Sequence, residues 1–274
     1  VLGNNLLFYS QLHLVNLLIG YFLGTTSLGY YSIANKVFVT FKDIVINTFS
    51  RISLPLFAKI QHEEKRRNSV FHEIVAKVLL LIIPICIGLV FLFPDIVPLF
   101  LGPTWIPSIQ LVQILFLACA LTVIPSFCND FFLGVGLPKL SFRMNLANAG
   151  IYLTLVLIGT QLGLIETTIG VAVSFFLAIP VSLLFLRTAM QVQWGSLLRI
   201  HGQAFLIGLF IAAGMLGINT LITEISFLRA AIKGCMLVII YIAALSVIYP
   251  PFYKEIKSYF LTACRTTLQF VSKQ

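Results

Sequence analysis

Charge is what this sequence has least of. Only 10% of its 274 residues are Asp, Glu, Lys or Arg, whereas 59% are hydrophobic, and the mean hydropathy is +1.02. Soluble domains carry roughly 25% charged residues, so the chain cannot cover itself in water. No polar stretch is long enough to build a soluble domain beside the apolar runs. Cysteine is sparse as well. Cys86, Cys119, Cys128, Cys235 and Cys264 form no C-x-x-C pair, which speaks against a zinc site or a disulfide framework. Also missing are H-E-x-x-H, a Walker loop and G-x-S-x-G. The glycines of GVGLP (134–138) lack a third partner and run into Pro138, so they read as a tight turn. His13, His62, His72 and His201 stand too far apart in sequence to suggest a metal cluster. These absences leave no catalytic residue, cofactor or metal to expect.

What is present is a series of apolar runs near twenty residues long, at 6–23, 28–56, 74–93, 109–133, 141–159, 168–186, 204–221 and 230–249. Inside a bilayer the backbone must satisfy its own hydrogen bonds, which leaves helices or closed barrels. Runs of this length fit helices, whereas barrel strands need about ten residues of alternation. The expected fold is all-α, a polytopic membrane bundle of about eight transmembrane helices. The second run is longer than a bilayer requires and is expected to tilt or project.

The connections alternate in charge. Lys59, Lys65, Arg66 and Arg67 follow the second run, Lys139 and Arg143 the fourth, and Arg187 and Arg199 the sixth. Lys254, Lys257, Arg265 and Lys273 close the chain. The intervening connections carry little besides Asp95, Glu166, Glu224 and Arg229. Lys and Arg concentrate in cytoplasmic loops, so the net charge of +9 is the signature of membrane topology and calls for no nucleic-acid partner. Both ends are then cytoplasmic. The N-terminus has no initiator Met and no basic leader, and opens almost directly into an apolar run, so the chain reads as a piece of something longer.

Pro84, Pro125 and Pro180 fall inside predicted spans, where each removes a backbone bond and bends its helix. The reading leaves open whether these are hinges or static kinks. The second run holds the chemistry. Ser32, Lys36, Thr40, Asp43, Asn47, Ser50 and Arg51 share a stripe about 100° wide on a helix of 3.6 residues per turn. Charged groups in a membrane usually face a bundle interior or water, so the stripe is a candidate cavity wall, the alternative being a polar packing seam. Lys42 lies off it. Asn5, Tyr9, His13 and Asn16 share a face of the first run and repeat the idea weakly. Lys36, Thr40, Asp43, Asn47, Arg51 and Asn16 are therefore the candidate substrate-binding residues. Lys36 and Arg51, about 22 Å apart at 1.5 Å per residue, are placed to receive an anion, with Asp43 between them serving coupling or gating.

Particular segments carry a resemblance. NLLIGYFLG (16–24) with LGYYSIANK (28–36), then RISLPLFAKIQ (51–61), LGPTW (101–105) leading to LVQIL (111–115), and GVGLPK (134–139) resemble Wzx-type polysaccharide flippases. These form the polysaccharide transporter branch of the MOP exporter superfamily. Val15 stands where relatives of this pattern often have an acid, and Tyr21 where they often have a base.

The resemblance implies a carrier that moves undecaprenyl-pyrophosphate-linked sugar units across the bacterial inner membrane. It implies a division into a C-terminal six-helix bundle (1–186), an added helix pair (187–249) and a cytoplasmic tail (250–274). It also implies partners: membrane lipid, the lipid-linked oligosaccharide, an N-terminal half of the same protein, and the glycan polymerase and glycosyltransferases of the pathway. A drug or other lipid-precursor exporter of the same superfamily remains an alternative, as does a membrane-embedded polymerase or acyltransferase. In a Cys-free background, a cysteine at position 161 should react with a membrane-impermeant thiol reagent in intact cells, and one at position 66 should not. Labelling at position 66 would reverse the topology.

Overall fold

The computed structural model describes residues 2–190, 194–221 and 227–248, which are helical apart from short turns. The expected tail from 250 onward, and Glu224, lie outside the described residues. Among the described residues eight α-helices follow one another: α1 (Leu2–Lys59), α2 (Glu64–Phe100), α3 (Pro107–Ala118), α4 (Val123–Gly134), α5 (Pro138–Leu162), α6 (Leu164–Leu186), α7 (Trp194–Leu221) and α8 (Phe227–Ile248). Five helical segments among the described residues are long and apolar enough to cross a bilayer. The first of these, α1, is two helices joined at Gly24, whose φ of 84° and ψ of 171° break the helical run. Only glycine adopts that backbone cheaply. The two arms correspond to the first two runs of the sequence, so the chain is a multi-pass all-α membrane protein.

One span is assembled from two short helices. α3 and α4 meet at a 3-10 turn, Cys119–Thr122, just before Pro125. Proline has no N–H to give the preceding turn, and hydroxyls take up carbonyls there. Thr122 Oγ1 donates to Cys119 O at 2.7 Å, and Ser126 Oγ donates to Thr122 O at 2.7 Å. Pro125 itself lines the cavity described below. At the α5–α6 hairpin, Gly159 approaches the backbone of Thr167 so closely that a Cβ would stand 2.6 Å from its Cα. Gly159 thus marks a close helix contact, and Gly163, with φ of 149°, the turn that follows it.

The interior between α1, α2, α3 and α4 is packed with aromatic rings. Phe57, Phe71 and Phe131 form a cluster with centroids 5.4–6.4 Å apart, and Phe116 packs against Phe38, Phe41 and Phe93. α7 and α8 pack on each other and on α2, away from α5 and α6.

Asp95 departs from expectation. The sequence places it in a loop after a span ending at residue 93, but α2 continues to Phe100 and buries Asp95 completely. Lys233 contacts its carboxylate and also donates to Phe91 O at 3.1 Å. The Nε of Arg229 lies 3.4 Å from Asp95 Oδ1, and its Nη2 donates to Asn219 Oδ1 at 2.7 Å. The acid of one apparent loop and the base of another are in fact partners that tie α8 to α2. The physical reason is the cost of leaving either charge alone in an apolar surround. Tyr241 adds a second tie through its hydroxyl to Leu80 O at 3.3 Å.

Removing one member of a buried ion pair typically costs about 3–5 kcal/mol, while replacing the whole set by apolar residues is often neutral. Asp95→Leu alone should therefore lower the thermal stability of the detergent-solubilised full-length protein sharply. Combining it with Arg229→Leu and Lys233→Met should restore most of the loss. Equal stability of the single variant and the wild type would mean the cluster does not hold α8.

Candidate functional site: a polar cavity inside the bundle

Both arms of α1 combine with the α3–α4 junction, α5 and α6 to enclose a cavity of about 570 Å³. Small-molecule sites commonly span about 300–1,000 Å³. The first arm supplies Asn4, Phe8 and Gln11, and the second supplies Asn35, Phe38, Lys42, Asp43, Asn47 and Ser50. From α4 come Pro125, Ser126, Asn129 and Asp130, from α5 Asn145, Asn148 and Tyr152, and from α6 Ser174 and Phe175. Among the described residues, α2, α7 and α8 contribute none to the lining. A mean hydropathy of +1.02 makes this concentration of amides and hydroxyls the distinctive chemical feature of the bundle.

Asn129 is the hub of a connected network. Its Oδ1 accepts from Ser141 Oγ at 2.6 Å, Asn145 Nδ2 at 3.0 Å and Asn4 Nδ2 at 3.4 Å. Asn4 Nδ2 also reaches Ser141 Oγ at 2.7 Å, so three helices are laced together. Asn148 Nδ2 donates to Ser182 Oγ at 3.3 Å and joins α5 to α6. Asp130, nearly buried, accepts from Ser53 Oγ at 3.0 Å, which links α4 to the second arm of α1. Gly134 sits one turn further on, where a Cβ would come within 2.6 Å of Phe57 Cβ. That close approach is what brings Asp130 and Ser53 together.

The six candidate residues divide. Asp43 and Asn47 line the cavity. Lys36, Thr40 and Arg51 are exposed on the same helix and do not line it, and Asn16 is half-buried elsewhere on the first arm. Lys42, placed off the stripe by helical phase, lies in the cavity wall and pairs with Asp43 at 3.3 Å. The cavity-facing side of the second arm is rotated toward Lys42 relative to the polar stripe. On the first arm the wall uses Asn4 and Gln11, whereas Tyr9 and His13 of the expected face are exposed. The side chain of Asn5 lies outside the described residues.

Sequence reading missed Asn129, Asp130, Asn145 and Asn148 altogether. A signal for them existed. Asn and Asp at 129–130 and Asn at 145 and 148 interrupt two otherwise apolar spans, and buried polar groups in membranes are expensive unless paired.

Comparison with known proteins places this geometry. A family model described as "Polysaccharide biosynthesis protein" matches residues 1–110. The chain is 24% identical over 169 residues to the lipopolysaccharide biosynthesis protein WzxC of Escherichia coli K12, covering 61% of this chain and 34% of that one. It is 28% identical over 127 residues to the teichuronic acid biosynthesis protein TuaB of Bacillus subtilis 168, covering 46% of this chain and 26% of that one.

Among solved structures it superposes on the lipid II flippase MurJ in an inward closed conformation. The TM-score is 0.68 at 17% identity, over 82% of this chain and 48% of that one. It also superposes on an outward-facing multidrug resistance MATE family transporter of the MOP superfamily, with a TM-score of 0.55 at 18% identity, over 88% and 60% of the two chains. The fold is the one these two transporters share. Within that class, the resemblance to polysaccharide flippases read from residues 16–139 agrees with the family match and with both curated relatives. The matched stretches take in about a third or less of the length of those curated relatives.

The Ser53–Asp130 bond offers a direct check on the cavity floor. A hydrogen bond to a charged or buried acceptor is worth about 1–3 kcal/mol. Ser53→Ala should lower stability by that order, and in a double-mutant cycle with Asp130→Leu the two losses should not add. Simple additivity would show that the two side chains do not interact.

Proposed function

We propose that this chain forms one half of a flippase for polyprenyl-diphosphate-linked sugars. With an N-terminal half of the same protein it would pass the sugar headgroup from the cytoplasmic to the outer leaflet while the lipid tail stays in the membrane. The observation that carries this reading is a polar cavity, rich in neutral amides, inside a bundle of transporter fold. Relatives named for lipopolysaccharide and teichuronic acid synthesis support a glycan precursor over a drug. The basic connections at Lys65–Arg67 and Lys139–Arg143 support a cytoplasmic position for that end of the bundle. Asn129, Asp130 and Ser141 lie toward the same end, so the cavity would open to the cytoplasm.

The protein would act as a carrier and make or break no covalent bond. Asp43 and Asn47 are proposed contacts in the cavity, and Lys36 and Arg51 are proposed to attract the anionic cargo from outside it. The first 186 residues would form the transporting bundle, and α7 and α8 an added pair. Glycosyltransferases and a glycan polymerase would supply and consume the cargo.

The Lys42–Asp43 pair tests the reading, because it is an ion pair in the cavity wall, on the second arm of α1. In cells lacking the natural flippase, full-length Asp43→Asn should export glycan roughly tenfold less at matched membrane abundance, about 1.4 kcal/mol in rate terms. Lys42→Gln should fall in the same direction. Normal export by both variants would remove the cavity from the transport path.

A further inference from the structure

The lining of the cavity says which part of such a cargo it takes. Resting on the flippase reading, we propose that the cavity binds the sugar through its hydroxyl groups and leaves the diphosphate to groups outside it.

The first argument is electrostatic. The charged residues lining the cavity are Lys42, Asp43 and Asp130. Lys42 is already paired with Asp43 at 3.3 Å. One base against two acids offers no net positive field, and opposing charge is what a diphosphate requires in a low-dielectric site. The exposed cations Lys36 and Arg51 lie on the same helix but outside the cavity.

The second argument is hydrogen-bond accounting. Asn4 Oδ1 and Asn148 Oδ1 are buried with no partner among the described residues, and both residues line the cavity. Each is an acceptor that needs a donor. An ionised diphosphate has only acceptor oxygens and cannot serve it. A hydroxyl both donates and accepts. The other half of the match is at Asn129, whose Oδ1 is taken by three donors. This fixes its amide orientation and leaves its Nδ2 to donate. A polyol ligand meets acceptors at Asn4 and Asn148 and a donor at Asn129.

The third argument is shape. Phe38, Phe175 and Tyr152 all line the cavity and stand in a stacked row. The Phe38–Phe175 centroids are 5.8 Å apart with an interplanar angle of 20°, and the Phe175–Tyr152 centroids 6.4 Å apart at 15°. A pyranose ring has an apolar C–H face and a rim of hydroxyls. An aromatic row beside an amide network is complementary to both.

The test compares two probes on the purified full-length protein in lipid nanodiscs: undecaprenyl diphosphate, and the same lipid carrying a single N-acetylglucosamine. Two or so hydrogen bonds of about 0.5–1.5 kcal/mol each predict that wild type binds the glycosylated probe about tenfold or more tightly than the bare lipid. Asn148→Ala should weaken binding of the glycosylated probe about threefold or more, by the loss of one such bond, while leaving the bare lipid's affinity unchanged. That unchanged affinity also reports an intact fold. Asn129→Ala, measured in the same way, should act in the same direction.

Equal wild-type affinity for both probes would overturn the proposal, the cavity amides then being satisfied by water, and would leave the flippase reading standing. Parallel loss of both probes in the variants, or loss of neither, would overturn it too. Failure of wild type to bind either lipid would overturn the flippase reading and this inference together.

Discussion

Inside the hydrocarbon of a bilayer no water is present to pair with a polar group, and an unsatisfied one costs several kcal/mol. Most of this chain answers that constraint locally. Thr168 bonds back to Leu164 O at 2.9 Å and Ser174 to Val171 O at 2.6 Å. Asp95 is answered by Lys233 and Arg229 from a helix far along the chain. The amides of α1, α4 and α5 are answered differently. They converge on one cavity and bond partly to each other, with some acceptors left over. Polar side chains from α1, α4, α5 and α6 gathered on one cavity separate this place from hydroxyls that bond back along their own helix.

The helix breaks serve that cavity. Gly24 folds α1 so that both of its arms reach the same wall, and the 3-10 turn before Pro125 turns the α3–α4 span so that Asn129 and Asp130 face inward. Neither break contributes much to the packed apolar interior, where rings such as Phe57, Phe71 and Phe131 interlock without them. The α7–α8 pair stands apart from this work. It docks on α2, whose residues do not line the cavity, and it is held by the ionic cluster at Asp95. The cavity and the attachment of the α7–α8 pair therefore occupy different sides of the bundle.

The architecture was legible because hydrophobic length is a strong signal: seven of the eight apolar runs became a helix or an arm of one, and the run at 109–133 became the α3–α4 pair. The site was legible only in part. Helical phase within one span can show that Asp43 and Asn47 share a face. It cannot show which neighbours that face meets, and Lys42 fell outside the stripe for that reason. Asn129, Asn145 and Asn148 are single polar residues on separate helices, and only tertiary packing brings them together. Asp95 was misplaced because a carboxylate among prolines near the end of a span resembles a loop. The base that buries it lies 138 residues away in sequence, where no local pattern points to it.

Reconstitution of the full-length protein into vesicles, with an undecaprenyl-diphosphate-linked sugar confined to the inner leaflet, tests the central claim most directly. The sugar reaching the outer leaflet is captured by an impermeant lectin and counted over time. The account predicts transfer that depends on the protein and is much faster than in protein-free vesicles. Transfer no faster than in empty vesicles, with the protein folded and inserted, would contradict it.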